Sequence, residues 1–296
     1  MSSVYGAMRA KLQKDTSMKF LRMGKEGAET SCVLDADGVV RDVSSVVADF
    51  GPTTLADLTG VFDGLDLGEF PEYAGDPRIG TPISQPKNIY CVGLNYSDHA
   101  AESGLAVPDE PILFNKSSSS FCGPNAPLFY AAHMTKLDWE VELGIVIGKT
   151  AFGVGPDEAM DHVAGFTVVN DVSERAWQAE RGGQWMKGKS FLNFCPTGPW
   201  LVTPDDFADV QNLGMWLDVN GERMQTGTTA KMIFDVKTIV SYMSSFMMLE
   251  EGDLICTGTP PGVGMGKKPP RYLKIGDTVE LGIDGLGAQK QVVEEL

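Results

Sequence analysis

The chain has 296 residues, 43% apolar and 22% charged, a mixture that excludes a disordered or fibrous protein and leaves room for one or two domains with a full core. Lysine and arginine number 24 against 40 aspartates and glutamates, a formal charge of −16 that repels nucleic acid and anionic membranes. No stretch approaches the roughly 20 apolar residues a membrane span needs.

Residues 1–17 mix Arg9, Lys11, Lys14 and Asp15 with small residues, without an apolar run of signal-peptide length, and are expected to form a flexible leader. Short β-like runs follow at Phe20–Arg22, Ser31–Leu34 and Val39–Val43, the last two joined by the hairpin signal Asp35-Ala-Asp37-Gly38. A Gly-, Pro- and Asp-rich stretch over 51–86 holds one helical segment near Thr53–Phe62. Residues 1–80 read as a small N-terminal accessory domain, Gly80–Pro86 as a linker, and residues 81–296 as the larger domain. Strands are expected at Ile89–Val92, Trp139–Ile147, Gly165–Asn170, Trp200–Thr203 and Met215–Val219, and helices at Ser97–Ser103, Ser173–Glu180 and Phe234–Met247. Short strands with inserted helices and no βαβ rhythm give a mixed-β, α+β fold class.

Five cysteines (Cys32, Cys91, Cys122, Cys195, Cys256), odd in number and never in CxxC spacing, read as reduced thiols of a cytoplasmic protein. His99, His133 and His162 share no local ligand spacing, so a bound metal would take oxygen ligands, which points to magnesium, manganese or calcium.

The segment Asp138-Trp-Glu140-Val-Glu142-Leu-Gly144-Ile-Val-Ile147 alternates. Val141, Leu143, Ile145 and Ile147 share the core-facing side, and Glu140, Glu142 and Gly144 the other. Two carboxylates roughly 6 Å apart repel by about 3 kcal/mol at an effective dielectric near 20. Either this face is solvated or a divalent cation turns repulsion into attraction, with Gly144 giving a ligand close access. Asp171, ending the apolar run Val168-Val-Asn170, supplies a third oxygen donor at a sheet rim, so Glu140, Glu142 and Asp171 form a candidate Mg²⁺ site with Mn²⁺ as the alternative ion.

His99 and Glu102 stand three apart on the expected Ser97–Ser103 helix, where the carboxylate can orient the imidazole and leave its other nitrogen to take a proton from water. The same spacing also suits an ordinary surface contact. His133 and His162 are read as structural. Gly183-Gln-Trp185-Met-Lys-Gly188-Lys189-Ser190 matches a phosphate-loop pattern, but helical, charged sequence precedes it and Trp185 and Met186 are bulky for a loop that wraps phosphate. Gly262-Val-Gly-Met-Gly266 also lacks the strand–helix context of a dinucleotide loop. No nucleotide is expected, and Lys189 reads as a single cation offered to an anionic substrate.

Taken in order, Gly93-Leu-Asn-Tyr-Ser-Asp-His99, Asp138-Trp-Glu-Val-Glu142-Leu, Asn170-Asp-Val-Ser-Glu-Arg-Ala-Trp-Gln178, Gly188-Lys-Ser-Phe, Met232-Ile-Phe, Gly258-Thr-Pro and Gly276-Asp resemble the fumarylacetoacetate hydrolase superfamily over roughly residues 80–296. The resemblance implies a β-roll catalytic core, a small N-terminal domain and a homodimer. It implies metal ligation by Glu140, Glu142 and Asp171, a water-activating dyad of His99 with Glu102, and substrate or charge contacts from Lys189, Gln178 and Thr259. Leu192-Asn193 departs from the acidic residue that often follows Lys-Ser-Phe in the family. Ala101–Pro108, Glu174–Trp185 and Pro260-Pro-Gly-Val-Gly are most similar to the branch that hydrolyses 2,4-diketo-3-deoxy sugar acids of the fuconate and rhamnonate type. The implied activity is metal-dependent C–C hydrolysis of a 2,4-dioxo acid to pyruvate and a second acid. Oxaloacetate decarboxylation, 2-hydroxyhepta-2,4-diene-1,7-dioate isomerisation and ureidoglycolate lysis on the same fold remain alternatives, as does non-catalytic binding of a sugar acid.

Overall fold

The computed structural model describes residues 18–98 and 107–296. In chain order the strands are β1 (Lys19–Met23), β2 (Thr30–Leu34), β3 (Val40–Asp42), β4 (Ile89–Gly93), β5 (Ile112–Lys116), β6 (Phe121–Cys122), β7 (Leu128–Tyr130), β8 (Leu137–Asp138) and β9 (Val141–Ile147). They continue as β10 (Val163–Asn170), β11 (Ser173–Glu174), β12 (Cys195–Pro196), β13 (Leu201–Val202), β14 (Gly214–Val219), β15 (Glu222–Thr228), β16 (Leu254–Cys256), β17 (Thr278–Ile283) and β18 (Gly287–Glu295). Among the described residues four helices are interspersed: α1 (Pro52–Leu55), α2 (Arg175–Ala179), α3 (Met186–Lys189) and α4 (Val236–Ser244). The fold is sheet-dominated and of the α+β class.

A nine-stranded sheet runs β3-β2-β1-β13-β10-β9-β16-β4-β5, and a five-stranded sheet runs β15-β14-β17-β18-β7. Two short turns set their registers. Gly38 takes a positive φ of 80° where Asp35–Gly38 joins β2 to β3, and Asn220-Gly221, at φ 53° and 76°, closes the β14–β15 hairpin with the left-handed pair that such a two-residue turn requires. The first β-runs of the chain pair through β1 onto β13, within the same sheet as β9 and β10.

Both faces of that sheet are covered. Val141, Leu143, Ile145, Phe166 and Val168 pack in one core with Leu217 and Leu281 of the second sheet and Ile239, Val240 and Met243 of α4. Val146, Val169 and Leu254 face a second core with Phe20, Phe50 and Leu55. Helix α4 fits its core because Val236, Ile239, Val240 and Met243 follow helical spacing, and Asp235 caps it by accepting from the Thr238 N–H at 2.8 Å.

Expectation and structure part in three places. Strand β9 is buried along its whole length, so the face carrying Glu142 and Gly144 lies under a second layer and is not solvated. Gly144 makes room for side chains rather than for a ligand, since a Cβ there would sit 2.7 Å from Val169 Cγ2 and 3.1 Å from Thr167 Cγ2. The helical expectations over Thr53–Phe62 and Ser173–Glu180 shorten to α1 with a separate 3₁₀ turn at Gly60–Phe62, and to α2, because Ser173 and Glu174 pair with Asp138 and Leu137 as strand. The helix expected at Ser97–Ser103, and with it His99 and Glu102, falls from residue 99 onward outside the described residues.

Candidate active site and metal centre

The antiparallel register of β9 and β10 sets Val141 opposite Asn170, which brings Glu140 and Asp171 together at the ends of these strands. Two hydrogen bonds lock the junction: the Asp171 N–H donates to the Glu140 carbonyl at 2.9 Å, and the Glu140 N–H to the Asn170 side-chain Oδ1 at 3.1 Å. Oxygens of Glu140, Glu142 and Asp171 consequently lie within 4.8 Å of one another. Glu140 and Glu142 are only 6% and 2% exposed, and Asp171 is fully buried.

Three cations answer this buried charge. Lys189, at the end of α3, donates to Glu140 Oε2 and Asp171 Oδ2, each at 2.6 Å. Arg175, opening α2, donates to Glu140 Oε1 at 2.6 Å, Asp138 Oδ2 at 2.8 Å and Gln178 Oε1 at 3.0 Å. Lys116, at the end of β5, donates to Asp171 Oδ1 at 2.5 Å and the Val172 carbonyl at 3.2 Å. Glu142 stands apart: its described partner is the Gly258 N–H, at 2.8 Å from Oε2.

This asymmetry divides the carboxyls. Burial alone would push Glu140 up, but Arg175 and Lys189 outweigh it and hold the group well below the usual carboxylate range. Glu142 is pushed well above that range by burial first and by Asp171 and Glu140 next. Burial works against the Lys189 ammonium, yet Asp171 and Glu140 more than compensate and keep it charged.

The donor set fits a divalent cation. Three hard oxygen donors converge, and one of them, Glu142, has no cation of its own among the described residues. No described histidine or cysteine joins the group, which disfavours a zinc-type site. Above it opens a cavity of about 530 Å³ whose lining includes Glu140, Glu142, Arg175, Gln178, Lys189 and Thr259. Its remaining walls are largely apolar, with Val92, Leu94, Phe114 and Trp185 among them.

Residues 88–294 match the fumarylacetoacetate (FAA) hydrolase C-terminal family. The chain belongs to the fumarylacetoacetate hydrolase family. It is an enzyme of that hydrolase family, and similar proteins span nearly its whole length. It is 52% identical over 279 residues to 2,4-didehydro-3-deoxy-L-rhamnonate hydrolase of Sphingomonas sp. (strain SKA58), covering 94% of this chain and 96% of the relative. Its fold resembles that of the fumarylacetoacetate hydrolase from psychrophilic Exiguobacterium antarcticum, with a TM-score of 0.85 at 39% identity over 95% of this chain and 100% of the other. It also resembles maleylpyruvate hydrolase from Sphingobium sp. SYK-6, solved with manganese(II) and pyruvate, with a TM-score of 0.76 at 25% identity over 94% and 99% of the two chains.

Of the residues singled out in the sequence, the structure brings together Glu140, Glu142, Lys189, Gln178 and Thr259 at one cavity, with Asp171 buried against Glu140 and Glu142. Thr259 enters differently from expectation: its hydroxyl donates to the Val141 carbonyl at 2.9 Å and accepts from Gln225 Nε2 at 2.8 Å, so it pins the loop after β16 to β9. Gly258, at φ 94°, permits that loop's close approach, since a Cβ there would lie 2.9 Å from Asn95 Cβ and 3.1 Å from the Val92 carbonyl. His133 stacks on Trp177 with centroids 5.0 Å apart, and His162 meets the Thr150 carbonyl at 2.9 Å, both outside the cavity lining.

Sequence reasoning missed Lys116, Arg175 and Asp138. A usable signal existed for two of them. Lys116 ends the strand Ile112-Leu-Phe-Asn-Lys116 as Asp171 follows the strand that ends at Asn170, and Arg175 stands three residues before Gln178 on one short helix. Asp138 accepts from the backbone N–H groups of Gly264 and Met265 as well as from Arg175, which ties the 264–266 turn to the site.

Proposed function

We propose that this enzyme hydrolyses a C–C bond of a 2,4-dioxo acid, of the 2,4-diketo-3-deoxy sugar-acid type, to pyruvate and a second carboxylic acid. The observation that carries the reading is the uncompensated carboxyl of Glu142 beside Glu140 and Asp171, with Lys189 and Arg175 at the same cavity floor. The named activity of the Sphingomonas relative supports the substrate class.

Glu140, Glu142 and Asp171 would hold Mg²⁺, with Mn²⁺ able to replace it. The ion, when bound, supplies Lewis-acid polarisation of a chelated 2-oxo acid. Around it this chain's residues do the rest. His99, oriented by Glu102, takes a proton from water as its oxygen adds to the 4-carbonyl. The C3–C4 bond then breaks, its electron pair passes to the pyruvate fragment as an enolate, and reprotonation at C3 completes pyruvate while C4 leaves as a carboxylic acid. Lys189 and Gln178 hold the developing oxyanion and the substrate head, and Thr259 fixes the loop beside them.

We also propose a cytoplasmic homodimer, with residues 1–80 as an accessory unit on the 81–296 catalytic unit. Five free cysteines suit a reducing compartment.

The test is pyruvate release from a panel of 2,4-dioxo acids, with Mg²⁺ and after EDTA. Metal-dependent pyruvate together with a hydroxy acid is expected from a diketo-deoxy sugar acid. Silence there with CO₂ from oxaloacetate would replace hydrolysis by decarboxylation. A rearranged product of unchanged mass would replace it by isomerisation.

A further inference from the structure

The cavity has two unlike halves. Its floor carries the carboxylates and their cations, while one wall is made by Val92, Leu94, Phe114 and Trp185. Trp185 sits at the end of the loop from α2 to α3, a loop that turns through Gly182 and Gly183 at φ 78° and 68°. The indole is fixed from two sides. It packs edge-on against Phe114 with ring centroids 5.2 Å apart. It also lies directly over Gly93, where an added Cβ would come within 2.5 Å of Trp185 Cζ3 and 3.0 Å of Cη2. Phe114 in turn lies under Lys189, whose ammonium is 5.3 Å from the ring centroid, so this wall begins where the charged floor ends.

A 2,4-dioxo acid whose head is held at the floor therefore directs the rest of its chain along an apolar surface. The described cations of the floor are already engaged and leave none for a second carboxylate. Arg175 and Lys189 are each bonded to two carboxylates, and the ammonium of Lys116 is fully buried on Asp171. Lys267, which donates to the Met224 carbonyl at 3.2 Å, and the exposed Lys268 also line the cavity, but outside the wall of Val92, Leu94, Phe114 and Trp185. Burying an unpaired carboxylate against indole is costly, whereas a methyl or hydroxyalkyl end gains by the contact.

We propose that Trp185, seated on Gly93, is the specificity-determining residue for the far end of the substrate and selects a short uncharged tail over a second carboxylate. The inference rests on the dioxo-acid reading above and deepens it. The experiment compares kcat and KM for two substrates with the same head, 2,4-dioxopentanoate with a methyl tail and maleylpyruvate with a carboxylate tail. Wild type, W185A, W185F, W185R and G93A are used, with inhibition by pyruvate as the head-only probe. Wild type favours the methyl tail. W185A shrinks that preference by about tenfold or more, mainly through KM, as expected for loss of one apolar pocket wall. G93A, which contacts the ring, shifts the ratio in the same direction by displacing it; W185F retains most of the preference and W185R turns it toward maleylpyruvate. Pyruvate inhibition stays constant throughout, which confirms an intact floor. An unchanged preference in W185A, or in G93A where W185A fails to fold, overturns the proposal while leaving the reaction standing. Pyruvate from neither substrate with the wild type overturns the reaction reading, and this inference with it.

Discussion

The floor and the wall of the cavity are built on opposite principles. On the floor each carboxyl of Asp138, Glu140 and Asp171 is bonded on both oxygens, and the cations come from three separate elements, β5, α2 and α3. The wall has no such network: Trp185 is placed by one glycine and one aromatic neighbour. A network of buried charges cannot change one member without stranding another, so the floor resists substitution one residue at a time. An apolar contact can be resized at modest cost, so the wall is where selectivity can be adjusted.

The largest effects should come from the floor. Alanine at Asp171 or Glu142 removes an oxygen donor and is expected to abolish pyruvate release, by more than about a hundredfold, with a matching loss of Mg²⁺ affinity in calorimetric titration. Full activity in a variant that no longer binds metal would show that the triad is not the centre of the reaction. Replacement of His99 by alanine should slow turnover by about 10² to 10⁴ while leaving metal affinity near wild type, as expected for loss of a general base. Equal losses of both would place His99 among the structural supports instead.

Lys116 separates folding from chemistry on the same floor. It is fully buried and does not line the cavity, so K116M leaves Asp171 Oδ1 without its cation. Breaking a buried pair by removing one partner should cost about 3–5 kcal/mol, visible as a lowered thermal midpoint in the metal-free protein. Mg²⁺ should restore part of that loss by returning positive charge to the cluster. A thermal midpoint equal to wild type would mean that Asp171 finds compensation elsewhere.

How much of this was legible in the sequence follows from which interactions are local. The Asp35–Gly38 and Asn220-Gly221 turns, the apolar alternation of β9 and the acidic end of β10 are written within a few residues, and each was readable. Burial of the Glu142 face was not, because the layer covering it comes from residues as distant as Phe20, Phe50 and Leu254. Lys116 escaped for the same reason: its partner is 55 positions away, and in the sheet order β9, β16 and β4 stand between β5 and β10, so nothing local announces the contact. Gly144 was misread because a glycine's neighbours, Val169 and Thr167, belong to the adjacent strand. The seating of Trp185 on Gly93 likewise depends on a contact between segments that the sequence leaves far apart.

The smallest effect in this series is a matter of pH, and it turns on Glu142, the floor carboxyl with no cation partner among the described residues. Because the folded-state pKa of Glu142 is raised, the metal-free protein keeps a proton there at pH values where a free glutamate, near 4.3, has lost it. That proton stabilises the metal-free fold fully below the ordinary value, and the contribution fades as pH rises toward the raised one. A divalent ion needs the carboxylate, so binding expels the proton and affinity climbs by up to about tenfold per pH unit across the same window, then levels off. Titration calorimetry in buffers of different ionisation enthalpy should therefore show up to one proton released per ion below the raised value, falling away as pH passes it. In E142Q the released proton and the pH slope should both disappear, with a weaker but pH-independent affinity left from Glu140 and Asp171. A slope that survives in E142Q would move the proton to another member of the floor. The contrast would then lie between Lys116 and Lys189 on Asp171, not between Glu142 and its two paired neighbours.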